Sequence, residues 1–127
     1  MATILVVEDD PSVSRLVSFV LKSEGYSVRT ASDGLEGLHQ LEREVADLVV
    51  LDLSMPNIDG RTFVKIIRNL GMACHVLILS AYGAAVAADE LHADGALEKP
   101  FDPEELIAEA DRILANAPDD ARRVPLN

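Results

Sequence analysis

The chain has 127 residues, of which 22 are acidic and 11 basic, so its net charge is −11. This length suits one domain rather than two, and a hydrophobic content of 49% is enough to form a core without staples. So acidic a surface repels phosphates, which argues against direct nucleic-acid binding and favours cations or basic protein surfaces. With Cys74 as its one cysteine, the chain cannot form an internal disulfide, which suggests a cytoplasmic protein. We identify no signal peptide and no apolar run of roughly 20 residues, so neither secretion nor membrane insertion is expected.

Short apolar runs alternate with amphipathic segments along the chain. The apolar runs predict five strands, over residues 4–7, 26–31, 48–51, 76–79 and 96–98. The segments between them carry apolar residues at helical spacing, which predicts helices over 11–24, 34–44, 60–70, 84–92 and 103–117. Because the strands are continuously apolar rather than alternating, both faces of the sheet should be covered by helices. The pattern therefore predicts an α/β fold with a parallel, doubly wound sheet.

Capping residues mark where several of these helices begin and end. Asp10, Asp59 and Asp102 each stand where a helix N-cap is expected, and the first and last of them are followed by proline. Gly25 and Gly71 stand where the first and third helices should end.

Polar groups follow four of the five predicted strands. They are Glu8, Asp9 and Asp10 after the first strand, Asp52 after the third, Ser80 after the fourth and Lys99 after the fifth. Ligands of open α/β sheets bind beyond the carboxyl ends of the strands. Crowded carboxylates repel one another, and Mg²⁺ with its preference for oxygen ligands would relieve that repulsion. Since an aspartate can also act as a nucleophile toward phosphorus, the set predicts phosphoryl transfer onto Asp52, assisted by a metal and an ammonium group.

Four segments at these strand ends strongly resemble the receiver domain of two-component response regulators. They are residues 6–10 (VVEDD), 52–60 (DLSMPNIDG), 79–81 (LSA) and 99–101 (KPF), and the resemblance extends from about residue 3 to residue 114. It implies a five-stranded parallel sheet in the order 2-1-3-4-5 flanked by five helices, the flavodoxin-like (βα)5 fold. We expect a stand-alone receiver domain over 1–117, followed by a polar tail or linker stub over 118–127.

The resemblance also implies roles for the acidic residues. Asp52 corresponds to the phosphoryl acceptor and Asp9 to the direct Mg²⁺ ligand, while Glu8 would act on the metal through water. The backbone carbonyl of Ser54 would complete the metal site. Asp10 falls outside the family's acidic pair and is expected to cap the first helix.

The switch residues match the family less completely. Ser80 resembles the switch hydroxyl and Lys99 the phosphate-binding lysine, whose peptide bond to Pro100 is cis in the family. Many receivers have tyrosine or phenylalanine three residues before that lysine, whereas this chain has Ala96. We hypothesise that Tyr82 substitutes for the missing aromatic or shields the acyl phosphate from water; otherwise the switch works without an aromatic.

The function implied is a phosphorylation-operated switch in a two-component phosphorelay. A histidine kinase or phosphotransfer protein would supply the phosphoryl group, and a downstream protein would bind the face formed by the fourth helix, fifth strand and fifth helix. The domain would catalyse only its own phosphorylation and dephosphorylation, and a homodimer is possible. One alternative is a scaffold receiver that is never phosphorylated, which Ala96 keeps open. A haloacid-dehalogenase-type phosphatase fits less well, because Ser54 stands where its second acid is needed and the chain leaves no room for a cap domain.

Overall fold

The computed structural model describes residues 2–55 and 57–115. Five strands alternate with five helices in the order β1 (Thr3–Val7), α1 (Pro11–Ser23), β2 (Ser27–Ala31), α2 (Gly34–Arg43), β3 (Leu48–Asp52), α3 (Gly60–Asn69), β4 (His75–Ser80), α4 (Ala84–Leu91), β5 (Gly95–Glu98) and α5 (Pro103–Ala115). All strand pairs are parallel, and the sheet order is β2-β1-β3-β4-β5. The predicted fold class and strand order are confirmed.

The sheet separates two apolar layers. Along β1, Leu5 and Val7 point into the layer covered by α2, α3 and α4, whose largest side chain is Phe63. Ile4 and Val6 point the other way, into the layer covered by α1 and α5. Because successive strand residues face opposite sides, a continuously apolar strand is what a sheet buried on both faces requires.

Side-chain caps fix where the helices start, close to the strand ends. The Asp10 carboxylate accepts a hydrogen bond from the Ser12 backbone N–H at 2.9 Å, as predicted for an N-cap. Asp59 does the same for α3, accepting from the Thr62 N–H at 2.8 Å. At α5, the Glu105 carboxylate accepts from the Asp102 N–H at 2.9 Å, which is the reverse half of a capping box.

The element bounds differ from the sequence-based ones by a residue or two. α1 ends at Ser23, and Gly25 follows with a φ of +96°, a conformation that glycine adopts without strain. β2 begins at Ser27, where its pairing with Thr3 of β1 starts, and the Tyr26 hydroxyl before it donates to the Asp111 carboxylate on α5. The predicted end of the last helix at 117 and the predicted tail over 118–127 lie outside the described residues. In the described part of the chain, no helix has the length and apolar character needed to cross a membrane.

Candidate functional site

The carboxyl ends of β1 and β3 bring three predicted site residues together. Glu8, Asp9 and Asp52 each place a carboxylate oxygen within 4.8 Å of the others. Glu8 and Asp52 are buried, with 2% and 4% of their surface exposed, whereas Asp9 is exposed. The site therefore has two buried carboxylates and one that is exposed to solvent.

Lys99, which follows β5, completes this cluster from the other side. Its Nζ lies 3.0 Å from Glu8 Oε1 and 3.4 Å from Asp52 Oδ1. The backbone N–H of Lys99 donates to the Ser80 carbonyl at 2.9 Å, which ties the lysine to the end of β4. The peptide bond between Lys99 and Pro100 is cis, as the family resemblance implied.

The pKa values of Glu8 and Lys99 are both shifted in this site. Desolvation raises the pKa of Glu8 to about 7; hydrogen bonds from the Asp10 backbone and Lys99 oppose this shift, and the charge of Asp52 adds to it. Burial alone would lower the pKa of Lys99, but its hydrogen bond to Glu8 and the charges of Glu8 and Asp52 outweigh burial, so this pKa is raised. Lys99 is thus a stable cation held against the carboxyl groups of Glu8 and Asp52.

The donor set fits Mg²⁺. This ion prefers oxygen ligands and binds proteins through one or two carboxylates, keeping waters or phosphate oxygens in its remaining positions. Asp9 and Asp52 supply such carboxylates, and the buried carboxyl group of Glu8 lies within 4.8 Å of both. The close grouping of the three carboxylates in the structure thus agrees with the ligand set that the resemblance implied.

The loop between β3 and α3 holds Asp52 in place. The Leu53 N–H donates to the Leu79 carbonyl at 3.1 Å, and the Gly60 N–H returns to the Leu53 carbonyl at 3.0 Å. The Ser54 N–H lies 3.4 Å from Asp52 Oδ1. A Cβ at Gly60 would lie 2.7 Å from Leu53 Cα and 2.9 Å from the Asp52 carbonyl oxygen, so glycine is required there. Sequence reasoning took Gly60 only as a helix start and missed this close approach.

The Ser80 hydroxyl, at the end of β4, is hydrogen bonded to the loop that follows the strand. It donates to the Tyr82 carbonyl at 2.7 Å, and the Tyr82 N–H points back to Ser80 Oγ at 3.3 Å. The Tyr82 side chain is 89% exposed, and Ala96 is partly buried against the layer of α2, α3 and α4. The role hypothesised for Tyr82 as an aromatic switch or shield stays a prediction. Sequence reasoning also missed Glu98, whose carboxylate reaches into the same loop.

Comparisons with known proteins show which family the chain belongs to. The family model described as "Response regulator receiver domain" matches residues 4–111. The chain is 41% identical over 116 residues to the transcriptional regulatory protein GlrR of Escherichia coli K12, covering 89% of this chain and 26% of that protein. It is 40% identical over 114 residues to the alkaline phosphatase synthesis transcriptional regulatory protein PhoP of Bacillus subtilis, covering 87% of this chain and 48% of that protein.

Solved structures resemble the chain over most of its length. A putative response regulator from Chloroflexus aurantiacus superposes with a TM-score of 0.84 at 38% identity, covering 91% of this chain and 98% of that one. The Vibrio cholerae chemotaxis protein CheY4 has a TM-score of 0.83 at 34% identity, covering 90% of this chain and 99% of that one. The chain belongs to the response regulator receiver domain family.

The family assignment confirms the predicted receiver fold and does not favour the phosphatase alternative. The chain spans 26% of GlrR and 48% of PhoP, so these relatives contain further regions. The expectation that the domain stands alone therefore stays a prediction.

Proposed function

We propose that this receiver domain is a phosphorylation-operated switch in which Asp52 accepts a phosphoryl group with the help of Mg²⁺. The observation that supports this most directly is the burial of Asp52 between Lys99 and two further carboxylates, at the carboxyl end of the parallel sheet. A nucleophile, a cation and a set of metal ligands are together the parts that phosphoryl transfer requires.

Each site residue has a role in this reaction. A carboxylate oxygen of Asp52 forms a bond to phosphorus while the bond between phosphorus and the donor histidine nitrogen breaks. Asp9, Asp52 and the Ser54 carbonyl would hold Mg²⁺, with Glu8 acting through water, and the bound ion supplies charge neutralisation. The Lys99 ammonium, now 3.4 Å from Asp52, would neutralise a phosphoryl oxygen.

Dephosphorylation would return the domain to its starting state. Water attacks phosphorus, inorganic phosphate leaves, and the Asp52 carboxylate is restored. The domain would thus catalyse its own phosphorylation and hydrolysis, and we propose that it acts on no outside substrate.

The phosphoryl donor would be a sensor histidine kinase or a phosphotransfer protein. A groove of about 310 Å³ opens beside the site and gives such a donor an apolar surface to contact. It is lined by Val13, Leu16, Lys99, Pro100 and Phe101. Because the lysine belongs to both the groove and the acidic cluster, a donor seated there would be next to Asp52.

The downstream partner would be a protein that binds the face formed by α4, β5 and α5. Helix α4 carries Val86, which is 63% exposed, and it follows the loop that begins after Ser80, the last residue of β4. A homodimer would be a further use of the same face.

Three further proposals complete the account. This acidic domain makes no direct contact with nucleic acid. It is located in the cytoplasm. The receiver domain extends over 1–117 and is followed by a tail over 118–127.

The proposed function is tested by comparing two neighbouring aspartates. Asp9→Asn is expected to lower Mg²⁺-dependent phosphorylation by a small-molecule phosphodonor by about tenfold or more at limiting Mg²⁺, because a direct metal ligand is lost. Asp10→Asn is the matched control: Asp10 caps α1, and asparagine caps equally well. The measurement is the phosphorylation rate as a function of Mg²⁺ concentration. Equal Mg²⁺ dependence in the two variants would contradict the proposed metal site, and no phosphorylation of the folded parent would favour the scaffold alternative.

Tyr82→Ala tests whether the exposed tyrosine shields the acyl phosphate. We expect dephosphorylation to become about two- to threefold faster, since an exposed side chain contributes roughly 0.5 kcal/mol. The measurement is the decay of phosphorylated protein after the donor is removed. Phe19→Ala, which truncates an aromatic that is 72% exposed on α1, is the control. An unchanged decay rate in Tyr82→Ala would remove the shielding role.

A further inference from the structure

Glu98, the last residue of β5, holds the loop that connects β4 to α4. Its Oε2 accepts a hydrogen bond from the Gly83 backbone N–H at 3.1 Å. In the sheet, Glu98 lies beside Ser80, so the carboxylate crosses from the end of one strand to the loop that follows its neighbour.

The loop is therefore fixed at two successive residues. Tyr82 is hydrogen bonded through its carbonyl to the Ser80 hydroxyl at 2.7 Å, and Gly83 is bonded through its N–H to Glu98. If the Ser80 hydroxyl is to donate to a phosphoryl oxygen on Asp52, it must first leave the Tyr82 carbonyl. The bond between Gly83 and Glu98 holds the next residue in place and so opposes that change.

The start of α4 lacks a side-chain cap of its own, so a carboxylate from another element can stabilise it. Gly83 is the N-cap residue, has no side chain with which to cap the helix, and adopts a left-handed φ of +64°. Partial positive charge collects at a helix N-terminus, so an acidic side chain stabilises it. Glu98 thus supplies from β5 the cap that the loop sequence lacks.

We infer that Glu98 is a positioning residue that keeps the β4–α4 loop in the arrangement in which the Ser80 hydroxyl is bonded to the Tyr82 carbonyl. This inference rests on the proposed phosphorylation of Asp52 and concerns how that step is restrained. Since Ala96 leaves the chain without the usual aromatic, the contact between Glu98 and Gly83 provides a connection between β5 and α4 that needs no aromatic side chain. Phosphorylation would draw Ser80 toward Asp52 and strain or break this contact.

Two substitutions at Glu98 separate its hydrogen bond from its charge. Glu98→Ala removes both, and we expect Mg²⁺-dependent phosphorylation by acetyl phosphate to become about three- to tenfold faster, the effect of one lost hydrogen bond. Glu98→Gln removes the charge but keeps an oxygen that can accept from Gly83, and should stay within about twofold of the parent. Glu42→Gln, which neutralises an exposed glutamate on α2, controls for net charge.

Hydrogen exchange of the Gly83 amide provides a readout that does not depend on phosphorylation. We expect faster exchange in Glu98→Ala than in the parent and near-parental exchange in Glu98→Gln. Equal acceleration of phosphorylation in the alanine and glutamine variants would attribute the effect to charge alone and overturn the inference. Unchanged Gly83 exchange and unchanged phosphorylation in Glu98→Ala would also overturn it, yet leave the proposed function intact. A folded parent that cannot be phosphorylated would instead overturn the proposed function and the inference with it.

Discussion

Replacing Lys99 with methionine is expected to slow phosphoryl transfer to Asp52 by about 100-fold, the usual cost of losing one charge-stabilising group at a reacting centre. Lys99 Nζ lies between Glu8 and Asp52, at 3.0 and 3.4 Å, which is where charge on a transferring phosphoryl group would need a cation. The measurement is the rate of phosphorylation by a small-molecule donor at saturating Mg²⁺. A rate within threefold of the parent would contradict the role given to Lys99.

The Lys99→Met protein should nevertheless fold. Methionine keeps much of the apolar stem of lysine, and the buried Glu8 can become neutral because burial already raises its pKa to about 7. Removing the lysine favours the protonated form of Glu8 further, so this buried side chain need not carry an unpaired charge. Lys65→Met, at an exposed position on α3, is the matched control and should keep the parental rate.

Gly60→Ala is expected to lower the free energy of unfolding by about 3 kcal/mol, the upper end of the usual cost of overpacking. The new Cβ would lie 2.7 Å from Leu53 Cα and 2.9 Å from the Asp52 carbonyl oxygen. Because both atoms belong to the backbone, no side-chain rotation can relieve the clash, and the loop that carries Asp52 must move. We therefore expect phosphorylation to slow as well.

Urea denaturation of the parent and the Gly60→Ala variant measures this stability change. Lys65→Ala, an exposed position on the same helix α3, is the control and should stay within about 0.5 kcal/mol of the parent. If Gly60→Ala lowers the free energy of unfolding by only about 0.5 kcal/mol, the loop accommodates a methyl group. That result would contradict the clash expected with Leu53 Cα.

Most of the fold could be predicted because the relevant signals are local. Continuous apolar runs such as 48–51 predict strands buried on both faces, and the β3 residues Leu48–Asp52 are all buried. Asp10 and Asp59 predict helix starts because an aspartate N-cap bonds to an N–H only two or three residues away. The short connections of a βα fold then bring the strand ends to one edge of the sheet.

The features that sequence reasoning missed depend on three-dimensional contacts and on rotamers, which residue type alone does not decide. The requirement for glycine at position 60 comes from Leu53, which the loop folds back against it. The bond from Gly83 to Glu98 joins residues 15 apart and depends on a side-chain rotamer. The orientation of the Ser80 hydroxyl is likewise a choice among rotamers that residue type does not decide.

These two classes of feature correspond to two parts of the proposed mechanism. The acidic cluster and Lys99 would carry out the phosphoryl transfer and are predictable because parallel strands end together. The loop contacts of Ser80 and Glu98 would restrain the response to that transfer, and they become visible only in three dimensions. With Ala96 in place of the usual aromatic, we expect the switching of this chain to depend on these loop contacts.

The central claim, that Asp52 accepts the phosphoryl group, is tested most directly by intact mass. The parent and Asp52→Asn proteins are incubated with a small-molecule phosphodonor and Mg²⁺, with a chelated sample of each as the control. We expect a gain of one phosphoryl mass in the parent only, and none after chelation. The same gain in Asp52→Asn, or none in the folded parent, would contradict the account.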